Sequence, residues 1–229
     1  MYDLPSEDPE EPGLPDEFHL WQSQLLQLTF KPLNWNSDEV FTACDLNLYY
    51  DVTHPKWYKR PDWFGVVGVP RLYEGRDLRL SYVIWQEGVS PFVVVELLSP
   101  GTEDEDLGRT IAQRGKPPTK WQVYEQILRV PYYIVFSRYT NEVQAFRLLA
   151  GAYEPTELRE GRLLIPQLGL SLGLWQGSFR DIDRLWLRWM KASGELILVP
   201  SEEAIAADQR AERLAARLRE LGVDPDELE

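Results

Sequence analysis

PFVVVELL, residues 91–98, decides the fold. Three consecutive valines between Phe92 and the pair Leu97–Leu98 leave neither alternating face of the segment polar, as expected of a strand covered on both sides in the middle of a sheet. One residue breaks the pattern. Glu96 sits inside this apolar run, where an unpaired carboxylate would cost several kcal/mol, so a cation is required beside it.

Working outward, the segments on either side alternate between strand and helix patterns. Upstream, DWFGVVGVP (62–70) is β-rich, and in DLNLYYDV (45–52) Leu46, Leu48 and Tyr50 alternate with Asp45, Asn47 and Tyr49, which predicts a half-buried strand. Between them lies the loop THPKWYKR (53–60), and RLYEGRDLRLSYVIWQEG (71–88) reads as a charged connection. Downstream, SPGTEDEDLG (99–108) is a turn followed by an acidic loop, and RTIAQRGKPP (109–118) an irregular insert. The segment TKWQVYEQILRV (119–130) predicts a helix, with Thr119 as N-cap and Trp121, Tyr124, Ile127 and Leu128 on one face. Pro131 stops it before a buried strand, YYIVF (132–136), and hairpin-like pieces fill 141–175. FHLWQSQLLQLTF (18–30) is a short helix or a capping element.

The chain has 229 residues, 44% of them hydrophobic, enough for one core. Its net charge is −13, and the acidity sits at the ends. Residues 1–17 hold seven acids, four prolines and no base; residues 202–229 hold nine acids and four bases; the stretch between is nearly neutral. Residues 1–17 therefore read as a flexible leader, 18–200 as the folded domain and 201–229 as a helical tail. In the tail Ala211, Leu214, Leu218 and Leu221 are spaced 3, 4, 3, which suits either packing on the domain or a short self-association seam. The aromatic load, nine Trp, eleven Tyr and eight Phe, leads us to expect a homodimer.

Several classes drop out. A single cysteine, Cys44, makes neither a disulfide nor a Cys-based zinc cluster, and the acidic start and the lack of a long apolar run argue for a cytoplasmic protein without a membrane span. The two histidines, His19 and His54, lack zinc-protease spacing, and no phosphate-binding loop, serine-hydrolase elbow or dinucleotide fingerprint is present. Carboxylates must then supply any catalysis. Asp62, at the entrance of one β segment, and Glu96, in the next, are 34 residues apart, so neighbouring strands can aim both at one point. Two oxygen donors suit Mg²⁺ or Mn²⁺, completed by water and a backbone carbonyl near Leu97. Lys120 and Tyr124, four apart on the following helix, share a face; Lys120 pairs with Glu96 structurally or sits beside a metal-bound water. Asp45 and Asp51 are further carboxylates that spacing does not place, and Ser99 most simply starts the turn.

The ordered set Arg60-Pro61-Asp62, VVVELLSPGT with Glu96 and Ser99, Lys120-x-x-x-Tyr124 and VPYYIVF resembles the Uma2-type restriction-endonuclease family of the PD-(D/E)XK nuclease superfamily, over about residues 40–150 and as far as 175. The resemblance implies an α/β (α+β) restriction-endonuclease-like fold, a central mixed sheet flanked by helices, with a metal at the strand ends. It makes Asp62 the motif aspartate and Glu96 the acid of the (D/E)XK element. The lysine expected two residues later is replaced by Leu98, its function moved to Lys120. Implied activity is Mg²⁺- or Mn²⁺-assisted hydrolysis of DNA, with Asp62, Glu96 and Leu97 at the metal and Lys120 catalytic, supported by Tyr124 and Ser99. Candidate phosphate contacts are Lys56, Lys59 and Arg60, interleaved with Trp57 and Tyr58, and Arg109, Arg114 and Lys116 on the insert. The run EDED (103–106) beside them reads as a solvated loop. Two alternatives stay open: a catalytically silent nuclease-fold interaction module, dimeric, and hydrolysis of another phosphorylated substrate.

Overall fold

The computed structural model of the protein describes residues 16–99, 101–113 and 115–221. The leader therefore lies outside the described residues except for its last two positions. Asp16 is the N-cap of α1 (Glu17–Thr29), its carboxylate accepting from the His19 amide at 3.0 Å. The chain continues through β1 (Val40–Ala43), β2 (Leu48–Tyr49), β3 (Tyr58–Lys59), β4 (Trp63–Val67), β5 (Tyr82–Val83), α2 (Ile84–Glu87) and β6 (Val93–Leu97). Next come α3 (Glu103–Asp106), α4 (Lys120–Gln122), β7 (Tyr132–Ser137), β8 (Glu142–Leu149), β9 (Ala152–Pro155), β10 (Arg162–Ile165), β11 (Leu170–Phe179), β12 (Ile182–Lys191) and α5 (Pro200–Glu220).

The main sheet has the order β1-β4-β6-β7-β8-β9, and β6, the strand of the three valines, is internal and buried at every position. Only β6 and β7 run parallel; the other pairs are antiparallel, so the sheet is mixed. A parallel pair needs a crossover, and here it carries α3 and α4 over one face of the sheet. Residues of odd number in β6, Val93, Val95 and Leu97, join a core with α1 and the β10-β11-β12 sheet; Val94 joins the core on the crossover side with Val123 and Tyr124. Alternation thus aims Glu96 at the crossover helix.

Five expectations change. The strand pattern of 45–52 yields a ladder of only Leu48 and Tyr49, because Asp45 takes a left-handed φ of 50° and breaks the run; the burial of Leu48 and Tyr50 survives. The helix expected over 119–130 is shorter. Thr119 caps it in a reciprocal box with Gln122, then α4 widens into a π-helical turn over Val123–Ile127, and Arg129, at φ 54°, ends the winding. The wider turn rotates the face, so Val123, Tyr124 and Leu128 are buried while Ile127 is 44% exposed. The acidic run EDED is a helical turn whose last residue, Asp106, is buried. The aromatic load is largely core: Trp63, Trp186, Trp189, Tyr82, Tyr124 and Tyr133 are all buried. The charged connection 71–88 contains the short β5 and α2.

The tail forms α5, which buries none of its residues, and its attachment is local. Glu202 in its first turn forks onto Arg188 of β12 at 2.9 and 2.5 Å, and Arg188 also donates to the Ile197 carbonyl at 2.7 Å. Arg188 is wholly buried, so removing its counter-ion strands a charge. Glu202→Ala is expected to destabilise the protein by about 3 kcal/mol in urea unfolding, whereas Glu212→Ala, on the exposed length of the same helix, leaves the midpoint within error.

Candidate active site

The site begins with strand register. Trp63 pairs with Val95 in the antiparallel β4–β6 ladder, so Asp62, one step before it, lies across from Glu96 on the same face. The Asp62 amide approaches Glu96 Oε2 at 3.4 Å, and Asp62 Oδ2 accepts from the Leu97 amide at 2.6 Å. From α1, Ser23 Oγ donates to the Asp62 carbonyl at 3.1 Å and fixes the strand entrance.

The cation that Glu96 requires comes from the crossover. Lys120 Nζ lies 3.1 Å from Glu96 Oε2 and 2.7 Å from Asp106 Oδ1. Tyr124, brought inward by the π turn, donates its hydroxyl to Glu96 Oε1 at 2.8 Å. Asp106 is held in turn by Tyr133, whose hydroxyl donates to its carbonyl at 2.8 Å. Burial pushes Glu96 and Asp62 above the ordinary carboxylate range even against the pull of Lys120. Burial alone would lower Lys120, but Glu96, Asp106 and Asp62 around it hold it firmly protonated.

Asp62, Asp106 and Lys120 line a cleft of about 340 Å³ together with Leu97 and Ser99, and Glu96 and Tyr124 lie buried outside its lining. Lys59 and Arg60 line it too; Lys59 Nζ reaches Glu105 Oε1 at 2.9 Å and Arg60 Nε lies 3.4 Å from Asp45. The remaining predicted contacts are spread. Lys56 and Arg109 are exposed beyond the cleft lining, and Lys116 borders an adjoining hollow with Lys59 and Glu105. Arg114 lies outside the described residues. Asp45 is at the rim, while Asp51 is bound into its own loop, where Thr53 and His54 hydrogen bonds hold it down at about 2.

Sequence reasoning missed His19. Its Nε2 is 3.1 Å from the Leu97 carbonyl and 3.1 Å from Ser99 Oγ, and Nδ1 is 2.8 Å from Asp16 Oδ1. Ser99 therefore does more than start a turn. Arg138 backs Asp16 at 2.6 Å. Burial works against a charged ring, but the Asp16 hydrogen bond and the charges of Asp62 and Asp16 raise His19 to about 9. Glu105 and Asp106 were missed as well, being hidden in a like-charge run; the Asp106 position next to apolar Leu107 was the one available hint.

The donor set for a metal is oxygen only: Asp62, Glu96 and the Leu97 carbonyl. No group of three or more His, Cys, Asp or Glu side chains among the described residues is disposed to hold an ion. Oxygen donors of this kind suit a hard divalent cation, and here the Glu96 oxygens accept from Lys120 and Tyr124 and Asp62 Oδ2 from the Leu97 amide.

The paired shifts of Asp16 and His19 have a pH signature in the metal-free protein. Burial opposes the Asp16 charge, but His19 and Arg138 hold it at about 2, below its ordinary 3.8. Its contribution is present above 3.8 and lost as pH falls through about 2; that of His19 is full below 6.5 and lost as pH rises through about 9. Asp16→Asn should therefore lower Tm clearly near pH 6 and much less near pH 10, and ring NMR should show His19 titrating at lower pH in that variant.

Comparison with known proteins places these residues in a family. Residues 1–183 match Uma2, described as "Putative restriction endonuclease". No curated protein matches the chain. A crystal structure described as "a putative nuclease belonging to DUF820" from Anabaena variabilis is similar at 13% identity, covering 68% of this chain and 75% of that one, with a TM-score of 0.45. No helix among the described residues is long and apolar enough to cross a membrane.

Proposed function

The chain belongs to the Uma2 restriction-endonuclease family, and on that footing we propose that it is a divalent-metal-dependent endonuclease whose cleft hydrolyses DNA phosphodiester bonds. One observation carries the reading: the Lys120 amine is fixed between Glu96 and Asp106 in a cleft that Asp62 enters from the neighbouring strand. Asp62, Glu96 and the Leu97 carbonyl would hold Mg²⁺ or Mn²⁺. Such an ion supplies Lewis acidity and lowers the pKa of a coordinated water.

Every other element is the chain's own. Lys120 keeps a positive charge where negative charge builds on the phosphoryl oxygens, and Asp106 prevents its amine from swinging wholly onto Glu96. Tyr124 fixes the Glu96 carboxyl plane. His19, cationic at neutral pH, orders the Leu97 carbonyl and Ser99 on the cleft wall. DNA contacts would come from Lys59 and Arg60 at the rim, with Lys56, Arg109 and Lys116 farther out. A homodimer is part of the proposal, supported no longer by the aromatic content but by the exposed Leu214 of α5 and Leu221 at its C-cap; Leu214→Glu with Leu218→Glu should convert a dimer to a monomer in sedimentation.

A second reading, the silent interaction module, is favoured by the fact that both Glu96 oxygens already accept from Tyr124 and Lys120. Cleavage assays on plasmid and single-stranded DNA with Mg²⁺ or Mn²⁺ separate the two. Cleavage is expected, abolished by chelation and reduced at least ~100-fold in Asp62→Asn, Glu96→Gln and Lys120→Met, with Mn²⁺ binding weakened in the two acid variants. Protein that binds no Mn²⁺ and cuts neither substrate belongs to the second reading.

A further inference from the structure

Among the described residues of the cleft lining, the rim lysine and arginine are both paired with carboxylates, and His19 is turned to Asp16, Leu97 and Ser99. Lys59 is 2.9 Å from Glu105, Arg60 3.4 Å from Asp45, and the inner Lys120 lies between two carboxylates, in a chain of net charge −13. Duplex DNA is the polyanion least suited to such a rim, because it presents one charge per ~1.7 Å, and its binding depends on neutralising them. Size points the same way. About 340 Å³ is the volume of a small-ligand pocket rather than a duplex groove, and Glu96 behind it has no exposed surface. A nucleotide entering a cavity of that size must first be unpaired and splayed out of the duplex.

An apolar contact is available instead. Tyr58, at the rim, is 46% exposed. Its partner across the β2–β3 ladder is Tyr49, the two ring centres 5.4 Å apart, so the ring is braced. Stacking on such a ring tolerates any base and requires no phosphate neutralisation, but the base must be unpaired and splayed out.

We propose that the cleft takes an unpaired nucleic-acid strand, one nucleotide entering the cavity with a base stacked on Tyr58, and that duplex is engaged only where it frays. The inference rests on the nucleic-acid reading above, yet it concerns binding and needs no cleavage. Fluorescence anisotropy in EDTA at about 0.15 M salt, with a labelled single-stranded DNA, its RNA equivalent and the matching duplex, tests it. Single-stranded DNA should bind at least ~tenfold tighter than duplex. Tyr58→Ala should weaken strand binding about tenfold without lowering Tm, and Tyr58→Trp should retain it. RNA binding equal to that of DNA identifies the unpaired strand itself as the ligand, and weaker RNA binding narrows it to DNA. Duplex bound as tightly as the strand, no strand bound at all, or Tyr58→Ala without effect overturns the proposal. Strand binding without metal-dependent cutting removes the nuclease reading alone.

Discussion

The Lys120 ammonium is the group on which the rest of the site depends. Three carboxylates, Asp62, Glu96 and Asp106, crowd into a region where at least two have no ready access to water, and that arrangement is tolerable only because a cation is shared among them. The price is rigidity: removing Lys120 would leave Glu96 and Asp106 with no opposite charge at hydrogen-bond distance, and both would take up protons or force the crossover open. The same amine that makes the fold possible therefore pre-positions a positive charge beside the one face from which Asp62 and the Leu97 carbonyl reach the cleft.

Much of this was written plainly in the chain. The valine run of 93–95 specified an internal strand, Glu96 within it demanded a cation, and the 34-residue interval to Asp62 matched the distance between adjacent strands. The capping pair Thr119 and Gln122 marked the start of the helix that carries Lys120. What was hidden is instructive. A π turn leaves no hydropathy signature that distinguishes it from an α turn, so the burial of Val123 in place of Ile127 was not legible. Asp106 looked like one of four solvated acids because linear patterning cannot register that a distant lysine and the Tyr133 hydroxyl turn one of them inward.

His19 shows the same limit from another side. A lone histidine on an amphipathic helix has no neighbour in sequence that marks it as anything but a core residue. Its partners Leu97 and Ser99 are 78 and 80 positions away, and only the docking of α1 beside β6 brings them together. Helix α1 is thereby more than a lid on the core it shares with the β10-β11-β12 sheet: Asp16 caps it, Ser23 holds the strand entrance, and Gln22 fastens it to Leu187 through both its amide atoms at 2.7 and 3.0 Å.

The single parallel pairing in the sheet has a further effect. Because β6 and β7 point the same way, the segment between them must travel back over the sheet, and that return journey delivers Asp106 and Lys120 together. Anion and counter-ion thus sit on one short excursion, while the strands beneath are secured by their own ladders. The far end of that excursion is anchored, because Val123, Tyr124 and Leu128 pack into the crossover-side core beside Val94. The amine beside Glu96 is therefore held by the packing of that core as well as by its own ion pairs, and it cannot leave without opening the core.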